Sequence, residues 1–145
     1  MAGELLLDTG GLVSLLDRSQ ARHLECVHWF DAFDGSVVST EAVLTEATHL
    51  LGGVRGGADA CIAFFLQGGA TLIPSSRGSL ERCGQLMAKY RDLPMDFADA
   101  TLVALAEELG ATQVLTLDQD FHVYRIRGRK RFEPVPPLGP RRRRR

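Results

Sequence analysis

Short apolar runs alternate with amphipathic stretches along most of the chain. Four runs have the length and composition of buried strands, and they lie at residues 4–8, 36–39, 70–73 and 114–117, with a candidate fifth at 123–126. Around them, apolar residues recur at helical spacing over residues 12–16, 20–33, 43–51, 58–67, 80–90 and 97–109. This alternation predicts an α/β fold with a mostly parallel central sheet of four to five strands flanked by helices.

The boundaries of several elements carry their own signals. Gly10 and Gly11 stand directly after the first strand and predict a loop before the first helix. Ser39 or Thr40 is suited to cap the helix that follows the second strand. Residues 58–67 are apolar almost all round, which predicts a buried helix.

The composition is that of a single globular domain. The chain has 145 residues, of which 45% are apolar and 24% charged, and this excludes collagen-like, disordered and disulfide-scaffold classes. No apolar run approaches the roughly 20 residues of a membrane span, and the N-terminus lacks the basic region of a signal peptide. Cys26, Cys61 and Cys83 form no C-x-x-C pair and are expected in the core. We therefore expect a cytoplasmic protein that does not cross a membrane.

The net charge of −1 conceals an uneven distribution. Residues 1–124 hold 17 acidic and 7 basic side chains, whereas residues 125–145 hold 10 basic side chains and one acidic one. Four of the basic side chains are candidates for contacts with nucleic-acid phosphates, namely Arg125, Arg127, Arg129 and Lys130. We predict a folded domain over residues 1–133, followed by a disordered tail rich in Pro and Arg at 134–145 that ends in Arg141 to Arg145.

Acidic side chains follow two predicted strands and stand at the start of the last predicted helix. They are Asp8 after the first strand, Asp118 and Asp120 after the fourth, and Asp96 and Asp99 at the beginning of the helix. Because ligands of such sheets bind beyond the carboxyl ends of the strands, we expect these carboxylates to converge there. Glu46, inside an otherwise apolar helical stretch, is a further candidate.

Several of these acids have an ordinary structural explanation when taken singly. Asp96 is suited to cap a helix, Asp120 to form a turn, and Glu46 to occupy a surface position. Asp8 is harder to explain, because an acid that ends a buried strand costs free energy unless it is paired. Together the carboxylates would repel one another, and divalent cations are the natural compensation. An all-oxygen ligand set favours Mg²⁺ or Mn²⁺, and two such ions about 3.5–4 Å apart can support phosphodiester cleavage.

Four motifs in this order resemble the acidic motifs of PIN-domain proteins. They are Leu5-Leu6-Leu7-Asp8-Thr9, Thr45-Glu46-Ala47, Asp96-Phe97-Ala98-Asp99-Ala100 and Leu115-Thr116-Leu117-Asp118-Gln119-Asp120-Phe121. Their order and spacing are most similar to the VapC-type toxins of bacterial toxin–antitoxin pairs. The resemblance implies a PIN-like three-layer sandwich and a Mg²⁺- or Mn²⁺-dependent endoribonuclease that hydrolyses RNA with metal-activated water. It also implies a homodimer and a cognate antitoxin protein as partners.

The resemblance also implies roles for individual residues. The catalytic acids it implies are Asp8, Glu46, Asp99 and Asp118. Of these, Asp8, Asp99 and Asp118 would bind the metal ion, with Glu46 nearby or acting through water. It implies supporting positions for Asp96, Thr116 and Asp120, and it leaves open whether Asp118 or Asp120 faces the metal.

Other functions remain open at this point. A PIN-fold nuclease could process RNA without any antitoxin, or a silent PIN-like domain could only bind its partner. An α/β phosphatase-like hydrolase would need a D-x-D motif after the first strand, but Asp8 is followed by Thr9 and Gly10. The four histidines share no spacing and are interpreted as structural, although His49 shares a helix face with Glu46. No aromatic platform for RNA bases is evident, and Trp29 is expected in the core or in an interface.

Overall fold

Five parallel strands form the central sheet of the computed structural model, which describes residues 3–139. The strands of the described chain are β1 (Glu4–Leu7), β2 (Ser36–Ser39), β3 (Thr71–Leu72), β4 (Gln113–Leu115), β5 (Arg125–Ile126), β6 (Lys130–Arg131) and β7 (Glu133–Val135). The helices are α1 (Thr9–Leu16), α2 (His23–Ala32), α3 (Glu41–Leu50), α4 (Gly57–Leu66), α5 (Arg77–Lys89) and α6 (Phe97–Leu109). Short 3-10 helices lie at Leu51–Gly53 and Gln119–His122.

Strand β1 is the centre of the sheet, whose order is β3-β2-β1-β4-β7. Leu5 is paired with Val37 of β2 on one side and with Gln113 of β4 on the other. The three leucines of β1 are buried at 0–1% exposure, as expected for a parallel strand with helices over both faces of its sheet. The predicted α/β fold class with its parallel sheet is thereby confirmed.

The carboxyl ends of β1, β2 and β4 lie side by side at one edge of the sheet. The Ser39 hydroxyl donates a hydrogen bond to the carbonyl oxygen of Leu7 at 2.7 Å, which ties the end of β2 to the end of β1. The backbone N–H of Asp8 donates to the carbonyl oxygen of Leu115 at 3.0 Å, which ties β1 to β4. Side chains just beyond these strand ends are therefore held in a fixed arrangement.

Gly10 and Gly11 lie in the first turn of α1, where the sequence predicted a loop. The helix begins at Thr9, immediately after β1, and its first turn passes close to the end of β4. A Cβ atom on Gly11 would collide with the carbonyl oxygen of Leu115, so a glycine is needed for this close approach. The two glycines thus allow tight packing between helix and strand.

The edge strand β7 contains two residues that the sequence analysis assigned to the tail, Pro134 and Val135. Proline lacks an N–H, so a proline-rich segment gives a weak strand signal. Here the strand is joined to β4 through the N–H of Glu133, which donates to the Thr112 carbonyl, and through the Val135 carbonyl, which accepts from the Thr116 N–H. Pro134 therefore sits at an edge position where its missing donor removes no hydrogen bond. The ordered domain extends past the predicted boundary at residue 133.

The candidate fifth strand at 123–126 contributes β5, but β5 pairs antiparallel with β6 in a separate two-stranded ribbon and not with the central sheet. The five arginines of the predicted tail lie outside the described residues.

Helix α4 is more exposed than its apolar sequence predicted. Leu66 is 82% exposed and Ile62 is 44% exposed, whereas Gly57 and Cys61 are its buried residues. The helix packs against α3, α1 and the 3-10 helix at Leu51–Gly53, and Phe64 contacts Phe30 of α2, whereas Ile62 and Leu66 lie on its exposed side. A helix that is apolar all round gives no sequence signal of which face is covered.

Among residues 3–139, no helix combines the length and the apolar character required to cross a membrane.

A pair of glycine substitutions tests the packing of α1 on β4. We expect Gly11→Ala to lower the free energy of unfolding by about 1–3 kcal/mol or more, because the added methyl group must displace the backbone of Leu115. Gly10→Ala is the matched control, since its Cβ would meet only Leu117 atoms at 3.8 Å. That substitution should be neutral or stabilising by up to about 1 kcal/mol, because alanine favours the helix. Urea unfolding of both variants measures the difference, and equal stabilities would contradict the account.

Candidate active site

Three acidic side chains come together at the carboxyl edge of the sheet. Asp8 follows β1, Asp118 follows β4, and Asp99 lies in the first turn of α6. One carboxylate oxygen from each lies within 4.8 Å of the other two. Asp8 and Asp99 are buried, and Asp118 is partly buried. We call these three residues the acidic cluster.

Thr116 holds Asp8 and Asp118 in place. Its buried hydroxyl donates a hydrogen bond to Oδ2 of Asp8 at 2.6 Å and accepts one from the backbone N–H of Asp118 at 2.9 Å. One hydroxyl therefore connects the side chain after β1 with the backbone after β4. Thr116, which the resemblance implied as a supporting residue, thus lies between these two acids.

The third acid of the cluster is positioned by two neighbours. Asp96 caps α6, and its Oδ1 accepts a hydrogen bond from the Asp99 N–H at 2.8 Å. The Tyr124 hydroxyl donates to Oδ2 of Asp99 at 2.8 Å. Tyr124 is fully buried and packs edge-on against Phe121 and Tyr90, with centroid distances of 5.1 and 5.2 Å.

Sequence reasoning missed Tyr124 as a site residue, since it placed this residue in a candidate strand. The available signal was a hydroxyl-bearing aromatic six residues after Asp118, in a segment that is otherwise apolar or basic. That signal does not say toward which acid the hydroxyl points.

Asp118 and Asp120 occupy different positions, although they are two residues apart. Asp118 is the residue in the acidic cluster of the described chain, and Asp120 is not part of that cluster. Oδ1 of Asp118 accepts a hydrogen bond from the backbone N–H of Asp120 at 2.8 Å, which begins the 3-10 helix at Gln119–His122. The geometry thus favours Asp118 as the acid that faces a bound ion.

Glu46 lies beside the cluster on α3. It is near enough to Asp96 and Asp118 for their charges to raise its pKa, and its own charge helps to raise the pKa of Asp8. Burial is the main reason that the pKa of Glu46 is raised, and the charge of Asp96 adds to the effect. The structure therefore places all four acids of the predicted quartet at one edge of the sheet.

The acidic cluster carries a large electrostatic cost. Burial raises the pKa of Asp8 to about 7, with smaller contributions from the charges of Asp118 and Glu46. Burial also raises the pKa of Asp99 to about 8, aided by the charges of Asp8 and Asp96. Within the described chain, neither Asp8 nor Asp99 forms an ion pair with a basic side chain. A charge-compensating cation or bound protons must therefore satisfy these carboxylates.

The ligand atoms that the site offers suit a hard divalent cation. The cluster offers carboxylate oxygens only, which suits Mg²⁺ or Mn²⁺ and not the nitrogen and sulfur ligands that zinc prefers. The buried hydroxyl of Thr9, next to Asp8, lies close enough to Glu46 to lower the pKa of that carboxyl group. Asp8, Asp99 and Asp118 are the side chains that could hold the ion.

The four predicted RNA-contact residues fall into two groups. Arg125 donates from Nη1 to three backbone carbonyls, those of His122, Val123 and Tyr124, at 2.7–3.0 Å. Arg127 has a left-handed backbone conformation (φ 52°), and Glu107 holds it by accepting a hydrogen bond from its N–H at 2.6 Å.

Arg129 and Lys130, which like Arg127 are exposed on the β5–β6 ribbon, form no side-chain hydrogen bond or ion pair among the described residues. The ribbon contacts α6 near Glu107, which lies roughly 12 Å along the helix axis from Asp99.

The raised pKa values predict how stability depends on pH. In metal-free protein the folded state binds more protons than the unfolded chain between about pH 4 and pH 8, because Asp8 and Asp99 titrate near 7 and 8 when folded and near 4 when unfolded. The free energy of unfolding in EDTA should therefore fall as pH rises through this window. Mg²⁺, which competes with these protons, should raise the Tm more at pH 8 than at pH 6.

The control for this experiment is Glu108→Gln, which removes an exposed acid from the same helix as Asp99. It should keep the pH slope of the wild-type protein, whereas Asp99→Asn should flatten the slope. A free energy of unfolding in EDTA that stays constant or rises from pH 5.5 to pH 8.5 would contradict the prediction.

Comparisons with known proteins agree with this architecture. The model of the PIN domain family matches residues 5–126. Among solved structures, the chain is similar to VapC20 of Mycobacterium tuberculosis, described as a sarcin-ricin loop cleaving toxin, with a TM-score of 0.75 and 23% identity over 82% of this chain and 93% of that one. It is also similar to VapBC2 of Rickettsia felis bound to a DNA fragment from its promoter, with a TM-score of 0.64 and 15% identity over 90% and 98% of the two chains.

A third similar structure is a toxin–antitoxin complex from Klebsiella pneumoniae, with a TM-score of 0.58 and 19% identity over 79% and 87% of the two chains. No curated protein sequence matches the chain. The family model spans most of the chain and includes all three residues of the acidic cluster. On this evidence, the chain belongs to the PIN domain family.

Proposed function

We propose that this protein is a Mg²⁺- or Mn²⁺-dependent endoribonuclease and the toxin of a VapBC-type toxin–antitoxin pair. The observation that carries the proposal is the acidic cluster, where three carboxylate oxygens lie within 4.8 Å of one another and two of the acids have pKa values of about 7 and 8. A domain that only bound a partner would have no need to bury acidic side chains together at this electrostatic cost. A metal-dependent nuclease needs such a cluster, since oxygen ligands hold the ion that acts on the phosphate.

Each residue of the site has a task in the proposed reaction. Asp8, Asp99 and Asp118 would hold the divalent cation, which when bound lowers the pKa of water and offsets negative charge on the phosphate. Thr116 and Tyr124 keep two of these carboxylates in position through hydrogen bonds of 2.6 and 2.8 Å.

Glu46 has a raised pKa and lies beside the cluster, so its carboxyl group is placed to exchange a proton with the attacking water or the leaving oxygen. Attack by water would leave 5′-phosphate and 3′-hydroxyl ends.

The proposed partners follow from the neighbours and from the surface. Two of the similar structures are toxin–antitoxin complexes, which supports an antitoxin as the inhibitor of this protein. Exposed apolar side chains on α2, α3 and α4 offer surface that protein partners would cover, namely Leu24, Leu50, Ile62 and Leu66. We propose that such surfaces bind a cognate antitoxin and a second copy of this chain, and that the protein acts on RNA in the cytoplasm when it is free of the antitoxin.

The basic ribbon supplies a secondary contact in this proposal. Arg129 and Lys130 are exposed and make no ion pair within the described chain, so they are available to RNA phosphates away from the cleaved bond. Nη1 of Arg125 and Nη2 of Arg127 donate to backbone carbonyls, so the contribution we propose for these two residues is to hold the shape of the ribbon.

Cleavage of RNA by purified protein tests the proposed function. Total cellular RNA incubated with the protein should be cut in Mg²⁺ or Mn²⁺ and remain intact in EDTA. Asp99→Asn should lower the rate by more than about 100-fold, since loss of a residue that only supports a metal ligand already costs roughly 10–100-fold. Glu108→Gln, the exposed acid on the same helix, should cleave like the wild-type protein. Cleavage that persists in EDTA, or in the Asp99→Asn variant, would contradict the proposal.

The Tyr124–Asp99 hydrogen bond gives a finer test. Tyr124→Phe removes one hydroxyl and leaves the ring in its aromatic neighbourhood, so we expect a folded protein. The Mg²⁺ concentration for half-maximal cleavage should rise by roughly 10-fold or more, because Oδ2 of Asp99 loses the donor that orients it. Tyr90→Phe is the control, since its hydroxyl accepts a hydrogen bond from the Arg125 N–H and does not touch the acidic cluster. If both variants need the same Mg²⁺ concentration, Tyr124 does not position a metal ligand.

A further inference from the structure

An open groove lies next to the acidic cluster, between α3 and the start of α6. Its volume is about 590 Å³, within the range of roughly 300–1,000 Å³ that is usual for ligand sites. Glu41, Glu46 and His49 line one side, and Asp96 and Phe97 line the other. Glu46 and Asp96 also act on the electrostatics of the cluster. The groove is therefore continuous with the proposed cleavage site.

Phe97 is the unusual residue of this groove. It is the first residue of α6 and lies two positions before Asp99, yet its side chain is 42% exposed. Within the described chain its ring is in contact with no other aromatic ring, in contrast to the packed rings of Phe121, Tyr124 and Tyr90. A large apolar ring exposed beside a polar site is a surface that a ligand can cover.

The charges of the groove restrict what that ligand can be. Glu41, Glu46 and Asp96 would repel a phosphate group or an acidic peptide within the groove. Carboxylates are, however, good acceptors for the exocyclic amino groups of nucleobases. Unpaired bases in RNA are typically bound by stacking on an aromatic side chain and by hydrogen bonds to their edges. A nucleobase can both stack on the exposed ring of Phe97 and donate hydrogen bonds to the acidic side chains that line the groove.

We propose that this groove binds an unpaired nucleobase next to the cleaved phosphodiester, stacked on Phe97 and donating a hydrogen bond from its exocyclic amino group to Glu41. The inference rests on the proposed ribonuclease function and adds a base subsite to it. The preferred bases are those with an exocyclic amino group, so uracil is disfavoured at this position. Phe97 is thus a specificity residue of the RNA site.

A fluorescent base analogue tests the stacking directly. A short single-stranded RNA with 2-aminopurine at successive positions is titrated with the full-length protein in Ca²⁺, so that binding is read without reference to cleavage. We expect fluorescence quenching at one position. Phe97→Ala should abolish it and weaken binding by about 5- to 100-fold, the usual contribution of one stacked base. Phe97→Trp should retain the quenching.

The control variant is Leu109→Ala. Leu109 is on the same helix, at its far end, and its exposure of 38% is close to that of Phe97. This variant should bind and quench like the wild-type protein. In cleavage assays, Phe97→Ala should raise KM with little change in kcat, and it should lose the preference for amino-bearing bases over uracil at the affected position.

The outcomes separate this inference from the proposed function. If the wild-type protein cleaves RNA but no position is quenched, or if Phe97→Ala binds and quenches like the wild type, the base subsite is wrong and the nuclease stands. If quenching depends on Phe97 but no RNA is cleaved in Mg²⁺ or Mn²⁺, the subsite stands and the nuclease assignment fails. An antitoxin segment in the groove would make Phe97→Ala weaken antitoxin binding and leave RNA binding unchanged, which also overturns the inference.

Discussion

Burial of two like-charged carboxylates, those of Asp8 and Asp99, is the constraint on which the rest of this structure depends. Each is held by a donor from the protein, Thr116 in one case and Tyr124 in the other. Neither hydrogen bond offsets the cost of burial, to which neighbouring negative charges add, so the pKa of Asp8 remains about 7 and that of Asp99 about 8. The parallel sheet brings them together because the ends of its strands meet at one edge, and the N-terminal turn of α6 completes the arrangement. Because the fold buries these carboxylates despite the electrostatic cost, it provides oxygen ligands that are already arranged to bind a divalent cation.

Much of this site could be predicted from the sequence. Asp8 and Asp118 each follow a short apolar strand, and Asp96 and Asp99 stand at the start of a regular amphipathic helix, so the rule that ligands bind at the carboxyl edge of a parallel sheet indicated their convergence. Thr116 precedes Asp118 by two residues and was predicted as a supporting residue. Whether Asp118 or Asp120 belongs to the acidic cluster depends on the conformation of the turn after β4. The residue pattern by itself does not determine that conformation.

The elements that the sequence analysis misjudged depend on long-range contacts. Pro134 lacks an N–H, so the sequence around it does not look like an edge strand. The residues on either side of it nevertheless form the hydrogen bonds that join this strand to β4. The apolar composition of α4 does not reveal that only α3 and its neighbours cover it. The sequence places Phe97 at the start of a helix and gives no indication of its exposure, which follows from the groove between α3 and α6. In each case the missing information is which part of the chain lies opposite.

Calorimetric titration of Mg²⁺ at pH 7, repeated in buffers of different ionisation enthalpy, tests the central claim most directly because it counts the protons that binding releases. If the acidic cluster is the cation site, binding should release protons from Asp8 and Asp99, and the number released should decrease toward pH 9, where both acids are already ionised. Asp118→Asn should weaken the binding. Absence of binding, or binding that releases no protons at pH 7, would contradict the claim that these carboxylates are buried together to hold a metal ion.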